Sequence, residues 1–131
     1  MSYTTEFIDD GRGVLHVGTG VVHGDEIHAG AMEDHRVEAR ARALRFGLVD
    51  LTDVTELRIT SEQVRAIAAE SHITARLAPH VAVAIVAPRE AIYGMARMWE
   101  ILVEGTGWDI RIVRLRAEAL EWLRPVRLDR G

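Results

Sequence analysis

Phe46-Gly47-Leu48-Val49-Asp50-Leu51-Thr52-Asp53-Val54-Thr55-Glu56-Leu57-Arg58-Ile59-Thr60-Ser61-Glu62-Gln63-Val64 decides the fold. Its apolar start reads as the end of a buried strand running from Ala43 to Leu51. Acidic and hydroxylated residues follow and read as a loop. Thr60 then fits a helix N-cap, and Gln63 completes a threonine-x-x-glutamine capping box. Strand, loop and capped helix make one βα unit of an α/β domain. In open α/β sheets, sites form outside the carboxyl ends of the strands. The loop from Asp53 to Ser61 is therefore the expected working surface.

Downstream, apolar positions at Val64, Ile67, Ala68, Ile73 and Leu77 recur at helical spacing, which predicts a helix from about Ser61 to Arg76. Val81-Ala82-Val83-Ala84-Ile85-Val86-Ala87 is apolar on both faces, as a parallel strand covered on each side would be. Pro88 fits the first position of the next helix and Gly105 the residue past its end. Inside it, Ile92, Met95, Ala96, Trp99, Leu102 and Val103 form one apolar stripe. Gly94 costs that helix about 1 kcal/mol relative to alanine, so close packing is expected there. Asp109 to Arg114 alternates like a half-exposed edge strand, and Ala117 to Leu123 closes the domain as a helix burying Leu120 and Trp122 or Leu123.

Upstream, Tyr3 to Ile8 and Val14 to Gly18 flank an Asp-Gly turn and read as a hairpin. Gly18-Thr19-Gly20 is expected to loosen the chain before a helix running from Gly24 or Asp25 to about Arg40. Asp25 and Glu26 in its first turn and Arg36 and Arg40 near its end suit the helix dipole. The whole order is β-β-α-β-α-β-α-β-α: an α/β fold with a mainly parallel five-stranded sheet and four helices. Residues 1–124 form the expected domain, and 125–131 a basic tail expected to fray.

The 131 residues suit one domain, and a net charge of −4 gives no bulk attraction to nucleic acid or anionic membrane. Cysteine is absent, which excludes disulfides and thiolate sites. All 16 basic residues are arginine, so Schiff-base chemistry and a P-loop lysine are excluded. No apolar run is long enough to span a bilayer, and Met1 to Phe7 lacks the pattern of a secretory signal. A cytoplasmic protein is expected.

Catalytic constellations are not found, and no cofactor or metal is implied. Asp50 and Asp53 could pair as carboxylates on a divalent cation, or simply satisfy loop backbone. Of the six histidines, His28 and His35 share one helix face, without metalloprotease spacing. The stripe within 88–104 is wider than one core contact needs, leaving room for a ligand pocket or a homodimer face. Tyr93 and Arg97 are the candidates for ligand contact there, with Arg97 suited to an anion.

Leu48 to Val54, Val83 to Pro88, Tyr93-Gly94-Met95-Ala96-Arg97-Met98 and Glu118 to Leu123 together resemble the STAS domain. They resemble most closely the small SpoIIAA-like, STAS/SEC14-type bacterial proteins. The resemblance spans Tyr3 to Leu123. It implies a one-domain α/β sandwich, usually non-catalytic. Anti-sigma-factor antagonists of this type bind a kinase-type protein partner and are switched by serine phosphorylation at the second helix start. The matching positions here read Arg58-Ile59-Thr60-Ser61, without the family's aspartate and glycine. Thr60 and Ser61 are thereby the implied phosphorylation positions, and Asp53, Thr55, Glu56 and Arg58 the implied partner-binding loop. Some relatives are also viewed as carriers of small apolar ligands, so two functions stand: a regulatory interaction module, or a carrier with a pocket between the stripe helix and the sheet.

Overall fold

A computed structural model describes residues 2–129. Five strands form one sheet in sequence order: β1 (Tyr3–Ile8), β2 (Gly13–His23), β3 (Phe46–Arg58), β4 (Ala82–Val86) and β5 (Asp109–Val113). β1 runs antiparallel to β2, and every later neighbour is parallel. The helices are α1 (Gly24–His35), α2 (Glu38–Arg42), α3 (Ser61–Leu77), α4 (Glu90–Leu102) and α5 (Arg116–Leu128).

The order explains the layers. β2 to β5 advance one neighbour at a time, and a βαβ crossover has one strongly preferred hand. Successive crossover helices therefore land on one face. Ile27 of α1, and Ile92 and Ala96 of α4, pack there with Val14, Val83 and Ile85. α5 follows the last strand and takes the opposite face, where its fully buried Ala119 and Leu123 meet Phe46, Leu48, Ala84 and Val86. β4 thus sends Val83 and Ile85 to one core and Ala84 and Val86 to the other, as its unbroken apolar run anticipates.

The turn at Asp9-Asp10-Gly11 joins β1 to β2 through three consecutive residues of positive φ, 53°, 58° and 84°. Short acidic side chains tolerate that region and glycine enters it freely.

Several boundaries differ from the sequence reading. The first helix divides in two: Val37 takes an extended conformation, and the short α2 then tucks the fully buried Ala41 against the core. The described residues thus form five α-helices rather than four. Gly18-Thr19-Gly20 does not end β2; it carries the register shifts that let the strand continue to His23. Pro88 precedes the N-cap Arg89 instead of opening α4, and Gly105 falls in a short 3-10 turn after it. Gly94 is not closely packed, since a Cβ there would meet nothing within 4 Å. Nor does the basic tail fray from Arg124: α5 runs through Pro125 to Leu128. Arg12 caps its end by donating to the Val126 and Arg127 carbonyls at 2.8 and 3.1 Å. Arg130 and Gly131 lie outside the described residues.

The largest correction falls on 53–58. These residues are not a loop but the second half of β3, paired in parallel with Thr19–His23 of β2. β4 leaves β3 at Asp50, so beyond that point β2 and β3 continue as a two-stranded arm. Val54 is 1% exposed and anchors it. The charged residues conceal a strand because Val54 and Leu57 lie three apart, without the alternation of a regular strand, although threonine suits a pleated surface.

Candidate functional site

Thr60 is the N-cap of α3. Its hydroxyl accepts from the Gln63 backbone N–H at 3.1 Å, and its own N–H donates to the Gln63 side chain at 2.9 Å, closing the capping box. Thr60 and Ser61 are exposed. Asp53, Thr55, Glu56 and Arg58 are exposed as well, but as strand residues along the arm, with Arg58 paired to Glu56.

Asp50 and Asp53 do not form a carboxylate pair. Asp50 is buried at the end of the sheet proper, accepts from the Thr52 backbone N–H at 3.0 Å and from its hydroxyl, and pairs with Arg116. Burial alone would raise its pKa; the Thr52 hydrogen bonds and the Arg116 guanidinium outweigh that and hold it below its ordinary value. Asp53 is exposed. The strands advance without a change of direction, so no divergence of helices opens a crevice at their carboxyl ends.

Tyr93 and Arg97 are not brought together either. The Arg114 guanidinium lies 4.0 Å over the Tyr93 ring, while Arg97 pairs with Glu100 on the exposed side of α4. His28 and His35 both reach Glu70 of α3, at 3.4 and 2.7 Å, tying α1 to α3.

An apolar feature with room for a ligand lies between the sheet and the three crossover helices. A cavity of about 120 Å³ opens there, floored by residues of β2, β3 and β4 and roofed by α1, α3 and α4. Val49, Ile67, Val83, Ile85, Ile92 and Trp99 represent its mainly apolar wall. This is the space anticipated between the stripe helix and the sheet, although α1 and α3 line it as well as α4.

Three of its polar lining residues cluster together. Tyr3 of β1, His16 of β2 and Asp34 of α1 all border the cavity. His16 is 5% exposed and lies between two partners: Nδ1 is 2.9 Å from the Thr5 hydroxyl, and Nε2 is 3.0 Å from Asp34 Oδ1. Tyr3 stacks on the imidazole with centroids 5.6 Å apart. Burial, with the nearby Asp34 carboxylate as the lesser cause, pushes the Tyr3 phenol well above its ordinary pKa. On α3, Ser71 donates to the Ile67 carbonyl and accepts from Trp99 Nε1, both at 3.1 Å.

Sequence reasoning missed Tyr3, His16 and Asp34. They lie on three elements, 13 and 18 residues apart, and their only signal was polarity inside otherwise core-facing positions. Among the described residues no group of three side chains is placed to hold a metal ion, and no helix is long and apolar enough to cross a membrane.

No family model matches the chain, and no curated protein matches it significantly. Among solved structures it is similar to an uncharacterised DUF3478-family protein with a SpoIIAA-like fold from Shewanella loihica PV-4. The TM-score is 0.55 at 15% identity, over 92% of this chain and 91% of that one. The likeness establishes the fold: the chain has the SpoIIAA-like, STAS-type α/β architecture that its sequence resembles.

Proposed function

We propose that this protein is a non-catalytic binding module that encloses one small, mainly apolar molecule between its sheet and its crossover helices. The cavity of about 120 Å³ carries the reading. Protein interiors close-pack, so a void of this size leaves dispersion contacts unmade unless something fills it. An apolar cavity of about 150 Å³ accepts benzene, so the occupant is compact and not a long acyl chain. Native mass spectrometry of protein purified from its own host tests this. A stoichiometric adduct of roughly the mass of a single-ring molecule supports the reading. An empty protein that also fails to bind benzene in vitro overturns it.

A second reading, a regulatory protein-interaction module, is favoured by one observation: Thr60 and Ser61 are exposed at the N-terminus of a 17-residue helix. A phosphate there would add about −1.5 to −2 charges where helix N–H groups tolerate it. Asp caps a helix about as well as Thr, so Thr60→Asp keeps the fold and isolates the charge. Altered capture of a protein partner by Thr60→Asp, with Thr60→Ala unaffected, supports the switch. Identical partner profiles for wild type and both variants contradict it.

A further inference from the structure

The cavity has a chemical polarity that narrows its ligand. Most of its wall is aliphatic or aromatic, and the two hydroxyls on α3 are already used: Ser71 as described, and Thr74 by donating to the Glu70 carbonyl at 3.4 Å. At the other end, two polar atoms have no partner among the described residues. Tyr3 is 7% exposed, and its hydroxyl makes no hydrogen bond. Asp34 meets His16 through Oδ1 alone, which leaves Oδ2 without a protein donor. Neither atom is sealed off: both stay accessible, so each can meet a polar group of a ligand.

The two atoms are complementary in role. A carboxylate oxygen only accepts, whereas a phenol both donates and accepts. A ligand hydroxyl matches both, donating to Asp34 Oδ2 while accepting from Tyr3. A ligand carboxylate meets the Asp34 charge and is repelled. The His16 ring is saturated by Thr5 and Asp34, and so holds the carboxylate in place without offering a donor of its own.

We infer that the Tyr3–Asp34 end of the cavity selects a compact apolar molecule bearing one neutral hydroxyl, a phenol or a small alcohol, and rejects carboxylates. The inference rests on the proposed apolar-ligand reading and adds the identity of the ligand's polar group.

Isothermal titration calorimetry with benzene, phenol, benzoate and nitrobenzene separates the two claims. Nitrobenzene has the size of benzoate without its charge. Wild type is expected to bind phenol roughly five-fold or more tightly than benzene, to bind nitrobenzene, and to show no heat with benzoate. Tyr3→Phe removes only a hydroxyl that makes no hydrogen bond among the described residues, so the fold is expected to be kept. In that variant the preference for phenol over benzene should fall to within about two-fold. Asp34→Asn keeps an acceptor for His16 and places an amide donor at the free position, and should gain benzoate binding. If wild type binds benzene as tightly as phenol, or binds benzoate, the selectivity is overturned while the apolar site stands. If Tyr3→Phe retains the full phenol preference, the assignment to this end of the cavity is overturned. If none of the four binds, both the inference and the reading beneath it fail.

Discussion

His16 Nε2 lies 3.0 Å from Asp34 Oδ1, and this contact joins the second strand to the first helix across the end of the cavity. A carboxylate only accepts, so Nε2 donates to it, while Nδ1 lies 2.9 Å from the Thr5 hydroxyl. Asp34→Ala leaves a buried donor unmatched and should cost about 1–3 kcal/mol. Asp34→Asn keeps an acceptor and should cost less. Urea unfolding midpoints measure both; equal midpoints for wild type and Asp34→Ala would show that His16 needs no partner.

Two helical glycines should respond to alanine with opposite sign. At Gly94 a Cβ enters open space, so Gly94→Ala should stabilise by about 0.5–1 kcal/mol through helix propensity. At Gly30 a Cβ would lie 2.7 Å from Tyr3 Cε2 and 3.1 Å from Thr5 Oγ1. Both are held in the strand layer, so Gly30→Ala should destabilise by about 1–3 kcal/mol despite the better propensity. Thermal melts of the two variants check the pair.

Asp50 gives an acid-side signature. Its folded-state pKa is depressed, so its carboxylate stabilises the fold above the ordinary value of 3.8. That contribution is lost as pH falls through the depressed folded value. The stability gap between wild type and Asp50→Asn should therefore be widest near neutrality and close in strong acid. Chemical denaturation at a series of pH values reads the gap; one independent of pH would contradict the assignment.

Tyr3 gives an alkaline signature. Its folded-state pKa is raised, so its contribution is present below the unfolded value of about 10 and is lost as pH rises above it. In a Tyr93→Phe background Tyr3 is the sole tyrosine, the chain having two. Tyrosinate absorbance should stay silent past its ordinary range and then rise together with unfolding. Ionisation near 10 with the fold intact would contradict its burial.

The fold was legible where one physical signal acted alone. The run from Val81 to Ala87 could only be a strand buried on both faces, and Thr60 with Gln63 had the pattern of a cap that the structure closes. Asp53 to Arg58 was read as a loop because its charges outweighed the spacing of Val54 and Leu57. Strand pairing with Thr19–His23 decided otherwise, and no local pattern announces a parallel partner more than thirty residues away. The cavity was placed beside the correct helix, but its polar end was not legible. Tyr3, His16 and Asp34 meet only once the sheet is assembled, and Tyr93 with Arg97, adjacent on paper, face other partners.

A titration of the methyl-labelled protein with benzene, followed by NMR, tests the ligand site most directly. Benzene should give saturable shifts confined to cavity-lining methyls such as those of Val83, Ile85 and Ile92. Ala96→Leu, which adds bulk to the same wall, should weaken them. Shifts that do not saturate, or that spread over the surface while those methyls stay unmoved, would contradict a ligand site between the sheet and its crossover helices.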